Sequence, residues 1–196
     1  MMIYNSFNYK RLKGKKMNKI IIDFETSGLK NASVLSISLI KLDENLEIID
    51  KVNRYYYPSK YKQYDDEAIE INRLTNLKIK ELRKDEKYKY KFLDDTNFYI
   101  DYLKDVDLII SHNIKFEYKF LPFEIKEMKI KMFCTMLKNI ENLKIEHEYY
   151  GYKYPTLKET TKFYQIEINE SKLHDSSYDC ELVYEIYKKM MNYIQN

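Results

Sequence analysis

Residues 19–24, Lys-Ile-Ile-Ile-Asp-Phe, form a short run rich in β-branched side chains, followed by a turn composition at Thr26-Ser27-Gly28. Two more strand-like runs, residues 34–42 and 46–57, meet at Asp43-Glu44-Asn45, so the three together predict a meander ending at Pro58. Residues 66–74 and 77–82 read as two short helices, and the charged stretch 83–91 reads as a solvated loop. Phe92, Tyr99, Tyr102 and Leu103 then give a helical stripe that stops near Lys104. A buried strand is predicted at 107–111, and Phe116, Phe120 and Leu121 recur at helical spacing after it. Residues 131–134 predict a brief strand, and 136–143 another helix. Beyond a tyrosine-rich loop at 147–154, residues 156–164 and 176–193 predict two closing helices. Three strands in succession, then strands alternating with helices, predict an α/β fold: a mixed five-stranded sheet with helices on its faces.

Length and charge narrow this picture without naming a function. A chain of 196 residues can bury a core of its own in one domain, and no internal repeat or low-complexity linker divides it. The basic stretch MMIYNSFNYKRLKGKK, residues 1–16, reads as a dispensable extension to a domain spanning 17–196. It carries no secretory signal pattern, and no apolar run reaches membrane-spanning length, so the sequence predicts a cytoplasmic protein with no membrane partner. Cys134 and Cys180 flank no ligand-spaced partner and read as thiols of a reducing compartment. A net charge of +3 is compatible with a polyanionic partner but too small to establish one. The 21 tyrosines accompany a strong preference for lysine over arginine, a bias of the whole chain that says little about function.

Three clusters carry chemistry. Asp23 and Glu25 stand two apart at the end of the first strand, so both carboxylates project from one face. Their repulsion is relieved by a hard cation such as Mg²⁺, although strand-end solvation would explain an isolated pair equally well. The second cluster, Ser111-His112-Asn113-Ile114-Lys115-Phe116-Glu117, lies at a strand-to-helix junction, where Asn113 could cap the helix and Glu117 could be solvated. The third, His174-Asp175-Ser176-Ser177-Tyr178-Asp179, opens the last helix. Asp175 or Ser176 can cap that helix, and Val183, Ile186 and Met190 continue the face of Asp179 toward the core.

Taken in order, IIDFETSGL, SHNIKFEYKFL and HDSSYDCELVYEIY resemble the three motifs of the DEDDh exonuclease family, which includes polymerase proofreading subunits, oligoribonuclease and ribonuclease T. The resemblance runs from Met17 to about Met190, with softer similarity in EAIEINRLT, FCTMLKN and YPTLKETTKFYQI. It implies a ribonuclease H-like fold and two divalent metal ions, Mg²⁺ or Mn²⁺, held by Asp23, Glu25, Glu117 and Asp179, with Asp23 bridging. His174 would be the general base, and Thr26, Leu29, Asn113 and Phe116 would meet the terminal nucleotide. The partner implied is a single-stranded nucleic-acid 3′ end, with a polymerase or nucleoprotein complex as a further candidate. DNA is favoured over RNA, with RNA trimming as the competing substrate class.

Glu117 departs from the pattern, because the family has Asp there, and the extra methylene adds on the order of 1.5 Å of bond length. A binding subunit weakened at this position is therefore the alternative to an active enzyme. The loop HEYYGYKYP, residues 147–155, has a composition suited to stacking unpaired bases, or simply to this tyrosine-rich chain.

Overall fold

The computed structural model describes residues 17–83, 87–149 and 151–195. The basic extension 1–16 and Tyr150 of the tyrosine-rich loop lie outside the described residues. Strands β1 (Asn18–Thr26), β2 (Val34–Leu42) and β3 (Ile48–Tyr55) form the antiparallel meander. Strands β4 (Val106–Ser111) and β5 (Lys131–Cys134) then add in parallel on the other side of β1, giving the order β3-β2-β1-β4-β5. The mixed five-stranded sheet flanked by helices is the one the sequence predicts.

The alternation of β1 sorts its side chains between two layers. Ile20, Ile22 and Phe24 face one layer, where they meet Val34, Ile37 and Leu39 of β2 together with Phe92, Tyr99 and Leu103. Ile21 faces the opposite layer with Ile40, Leu108, Ile110 and Phe133, under the apolar face Val183, Ile186, Tyr187 and Met190 of the last helix. Asp23 and Glu25 share the parity of Ile21, so they emerge on that second face where its apolar cover ends.

Helices α1 (Asp66–Asn72) and α2 (Asn76–Leu82) come after the meander. Asp65 and Thr75 cap them, accepting from the Glu67 and Lys78 amides. The predicted stripe at 92–104 is a 3₁₀ turn, Phe92–Asp95, running into α3 (Thr96–Leu103). After β4 come α4 (Ile114–Phe120) and α5 (Phe123–Glu127); Pro122 divides them, and the hydrophobic pattern gives no sign of α5. The single helix predicted over 136–143 is two turns, α6 (Thr135–Lys138) and α7 (Ile140–Leu143), interrupted at Asn139, whose side chain bonds Thr135, Tyr164 and Asn142. Helix α8 (Leu157–Phe163) opens on a capping box of Thr156 and Glu159, and α9 (Ser176–Gln195) crosses the sheet. Among the described residues no helix is long and apolar enough to cross a membrane.

Small side chains let α9 approach. Ser36 and Ser38 of β2 stand opposite Glu25 and Asp23 in the register, and both hydroxyls reach the Ser176 hydroxyl, at 2.9 and 2.8 Å. This seats the first turn of α9, and with it Asp179, beside the end of β1.

Candidate active site

The carboxyl ends of β1 and β4 lie side by side, because the two strands are parallel neighbours. Beyond them open the turn 26–28 and the start of α4, the position at which α/β sheets place ligands. The turn is tightly built. Ser27 exchanges backbone bonds with Ser33 and Asp65, and its hydroxyl donates to the Gln63 carbonyl at 2.5 Å. Gly28 has φ +154°, and a β-carbon there would stand 3.2 Å from that of Asp65, so the turn admits only glycine without strain.

Four carboxylates converge here. One ligand atom each from Glu25, His174 and Asp179 lies within 4.8 Å of the others, a grouping that can hold a cation. Asp23 and Glu117 stand outside this triad: the Glu117 charge raises the pKa of Glu25 by repulsion, and Asp23 is itself raised by Glu117, Glu25 and Asp179. Burial is the first cause of the upward shift at all four acids. For Asp23 the charges of Glu117, Glu25 and Asp179 add to it, and for Glu25 those of Asp179 and Glu117. Glu117 is pushed up to about 8 and Asp179 to about 7.

Glu117 is 3% exposed, so it is not the solvated helix residue that its position would also have allowed. Its Oε1 accepts from the Ser111 hydroxyl at 2.9 Å, and that hydroxyl in turn accepts from the Asn113 amide at 3.2 Å. Its Oε2 is buried without a partner. Asp179 shows the same asymmetry: Oδ2 accepts from the His174 amide at 3.2 Å, while Oδ1 is buried and unpaired. Among the described residues none of the four carboxylates forms an ion pair with lysine or arginine. Clustered acids, two buried oxygens without donors and no protein cation make an oxygen-rich set that fits hard divalent ions.

His174 is exposed and holds φ +65°, a left-handed conformation uncommon outside glycine. The bond from its amide to Asp179 explains the five-residue spacing, since the chain must fold back before α9 starts. Partial burial keeps its imidazole pKa below the usual 6.5. Asp175 accepts from the Ser177 and Tyr178 amides and so caps α9, one of the two options open from sequence.

The four residues predicted to meet substrate differ in how they are presented. Leu29 is 69% exposed, and Phe116 is half-buried against Phe120 with ring centroids 5.1 Å apart. Asn113 is exposed and makes no side-chain cap bond, so the capping role is not the one it plays. Thr26 is buried, and its hydroxyl donates to the Gly28 carbonyl at 2.7 Å; its side chain shapes the turn that presents Leu29.

Two further residues support the site without standing out in the sequence. Asn72, in the EAIEINRLT stretch, is buried; its amide donates to the Thr26 carbonyl at 3.0 Å, and its side chain favours the charged form of Glu25. The available signal is a polar residue at the end of a helix whose neighbours already match the motif set. His112 is also buried, with its pKa lowered to about 4 by burial, and its ring nitrogens lie 3.0 Å from the Thr135 hydroxyl and the Pro155 carbonyl. It clamps the loop before α8 to the strand end that carries the second motif. Of the scattered lysines, Lys158 pairs with Glu170 at 2.7 Å.

Comparison with known proteins finds one family model and a set of solved structures of similar fold. The family model described as RNase_T exonuclease matches residues 20–187. No curated protein sequence matches the chain. Among solved structures, exonuclease X in complex with 5′ overhanging duplex DNA superposes with a TM-score of 0.62 at 20% identity, over 89% of this chain and 92% of that one. The nuclease domain of 3′hExo, a DEDDh family member bound to rAMP, gives 0.61 at 17% identity over 91% and 94%. E. coli exonuclease I in complex with a dA16 oligonucleotide gives 0.64 at 15% identity over 90% of this chain, which spans only 41% of that larger one. At these identities the likeness is one of fold, the ribonuclease H-like fold.

Proposed function

The chain belongs to the RNase_T exonuclease family, and from that premise we propose that it is a divalent-metal-dependent 3′ to 5′ exonuclease that releases nucleoside 5′-monophosphates from single-stranded 3′ ends, DNA in preference to RNA. The observation that carries the reading is the convergence of four acids with two unpaired buried oxygens beside an exposed histidine.

Asp23, Glu25, Glu117 and Asp179 would hold two ions, Mg²⁺ or Mn²⁺. Such ions, when bound, activate water, neutralise charge building on the phosphate and stabilise the departing 3′ oxygen. The protein supplies the rest. Partial burial lowers the His174 imidazole pKa and so favours the neutral ring, one of whose nitrogens can accept the proton of the attacking water. The left-handed backbone at His174 and its amide bond to Asp179 fix that ring at the mouth of the cluster. Leu29 and Phe116 offer apolar surface to the terminal nucleotide, and Asn113 offers an exposed amide beside them. Asn72 steadies the strand end that carries Glu25 by bonding the carbonyl of the following residue, Thr26, and favours the charged carboxylate.

DNA and RNA 12-mers of matched sequence, 5′-labelled and incubated with Mn²⁺, test the substrate assignment. The proposal expects a ladder shortening from the 3′ end, 5′-mononucleotides as the small product, and faster loss of DNA. Faster loss of RNA would move the protein to the trimming class, and an intact label pool would leave the alternative of a binding subunit disabled at Glu117.

A further inference from the structure

The chemistry above leaves unused a cleft between residues 32–34, residues 57–62 and the junction of α4 with α5. It encloses about 250 Å³ and is lined by Tyr57, Leu93, Phe120, Phe123, Lys62 and Lys119, among others. Phe123 is 71% exposed and Leu93 59%, a large apolar surface that the fold itself does not use. Two lysines line the cleft and no carboxylate does, whereas two other clefts on the described surface each include acidic residues. The Lys62 ammonium spends one donor on Asn31 at 2.9 Å, leaving two of the three that a lysine carries.

The cleft also adjoins Phe116. Phe120 lies one turn along α4 from Phe116, with their rings in contact at 5.1 Å, so the aromatic surface offered to a terminal nucleotide runs on into it. Aromatic rings spaced along a path with cations beside them suit successive bases and phosphates of an unpaired strand.

We propose that this cleft is a second nucleotide subsite, in which Phe120 and Phe123 stack bases upstream of the terminal one while Lys62 and Lys119 meet their phosphates. The proposal rests on the exonuclease reading only in taking Phe116 as the seat of the terminal nucleotide. It makes affinity depend on strand length.

The test is fluorescence anisotropy with 5′-fluorescein-labelled dT8 and dT2 in excess chelator, where binding is read without turnover. Phe123→Ala, at an exposed position, should raise the Kd for dT8 about tenfold and for dT2 far less. Lys62→Gln with Lys119→Gln should lower the slope of log Kd against log salt by about 1.4 for dT8, the value for two phosphate contacts on a single strand. Wild-type affinity of Phe123→Ala for dT8, or an equal loss for both oligonucleotides, would overturn the subsite. Cleavage of dT8 by the wild-type protein with Mn²⁺ is scored separately. If cleavage fails while the length-dependent effect of Phe123 persists, the enzymatic reading falls and the subsite stands.

Discussion

At Glu117 the sequence departs from its family, and the structure adds a physical reason to weigh that departure carefully. The side chain is buried, one oxygen is held by Ser111, and the other is buried without a partner. Its charge acts on both Asp23 and Glu25, so the longer carboxylate can still supply charge to the cluster. Glu117→Ala should therefore cost at least about tenfold in rate, roughly 1.4 kcal/mol of barrier, and Glu117→Asp should remain active in a single-turnover assay. A markedly faster Glu117→Asp over a nearly inert wild type would instead identify a disabled site. The same residue sets a stability signature. Its pKa is raised to about 8 in the fold against about 4.3 in an unfolded chain, so the folded state holds the extra proton between those values. Stability of the metal-free protein consequently falls as pH rises through that window. Glu117→Gln should raise the melting temperature in chelator by a few degrees at pH 8.5 and by much less at pH 5; an equal gain at both would mean that the carboxylate is not strained.

Among the elements, strands are more legible in the sequence than helices. The run 34–42 coincides with β2 and 131–134 with β5, because a hydrophobic run between breakers maps directly onto a buried strand. Predicted ends of β3 are two residues too generous on each side, since this edge strand is exposed along most of its length and its pattern carries little burial signal. The helix predicted at 136–143 breaks at Asn139, whose side chain takes up long-range partners that no local pattern contains. Candidate chemistry is readable where three motifs sit at strand and helix ends. Asn72 and His112 are not, because their importance lies in contacts to Thr26 and Pro155, 46 and 43 residues away. His112 permits a test at this scale. Its folded pKa is about 4 against about 6.5 unfolded, so below 6.5 the unfolded chain gains a proton that the fold refuses. Stability from this residue is full above pH 6.5 and is lost progressively toward pH 4. The wild-type advantage in melting temperature over His112→Asn should shrink across that interval, and an advantage independent of pH would contradict the buried neutral imidazole.

Across the whole molecule, a ribonuclease H-like sheet gathers four acids at one strand end, where burial and mutual repulsion disfavour their charged forms. Asp23, Glu25, Glu117 and Asp179 all have raised pKa values, so the metal-free fold carries a penalty that grows as pH rises above the ordinary carboxylate range. Binding only to the folded state adds RT ln(1 + [L]/Kd), about 2.7 kcal/mol when the ion is a hundredfold above its Kd. Mn²⁺ should thus raise the melting temperature more at pH 8 than at pH 5.5, where protons compete for the same oxygens. An increase that ignores pH would place the ions elsewhere. The most direct measurement is the length of a 5′-labelled single-stranded oligonucleotide after incubation with Mg²⁺, with chelator, and with Asp23→Ala in Mg²⁺. Stepwise shortening from the 3′ end in the first, and full-length strand in the other two while circular dichroism reports an intact Asp23→Ala fold, is the predicted result; shortening that survives either chelator or the loss of Asp23 would contradict a metal-dependent site built on Asp23.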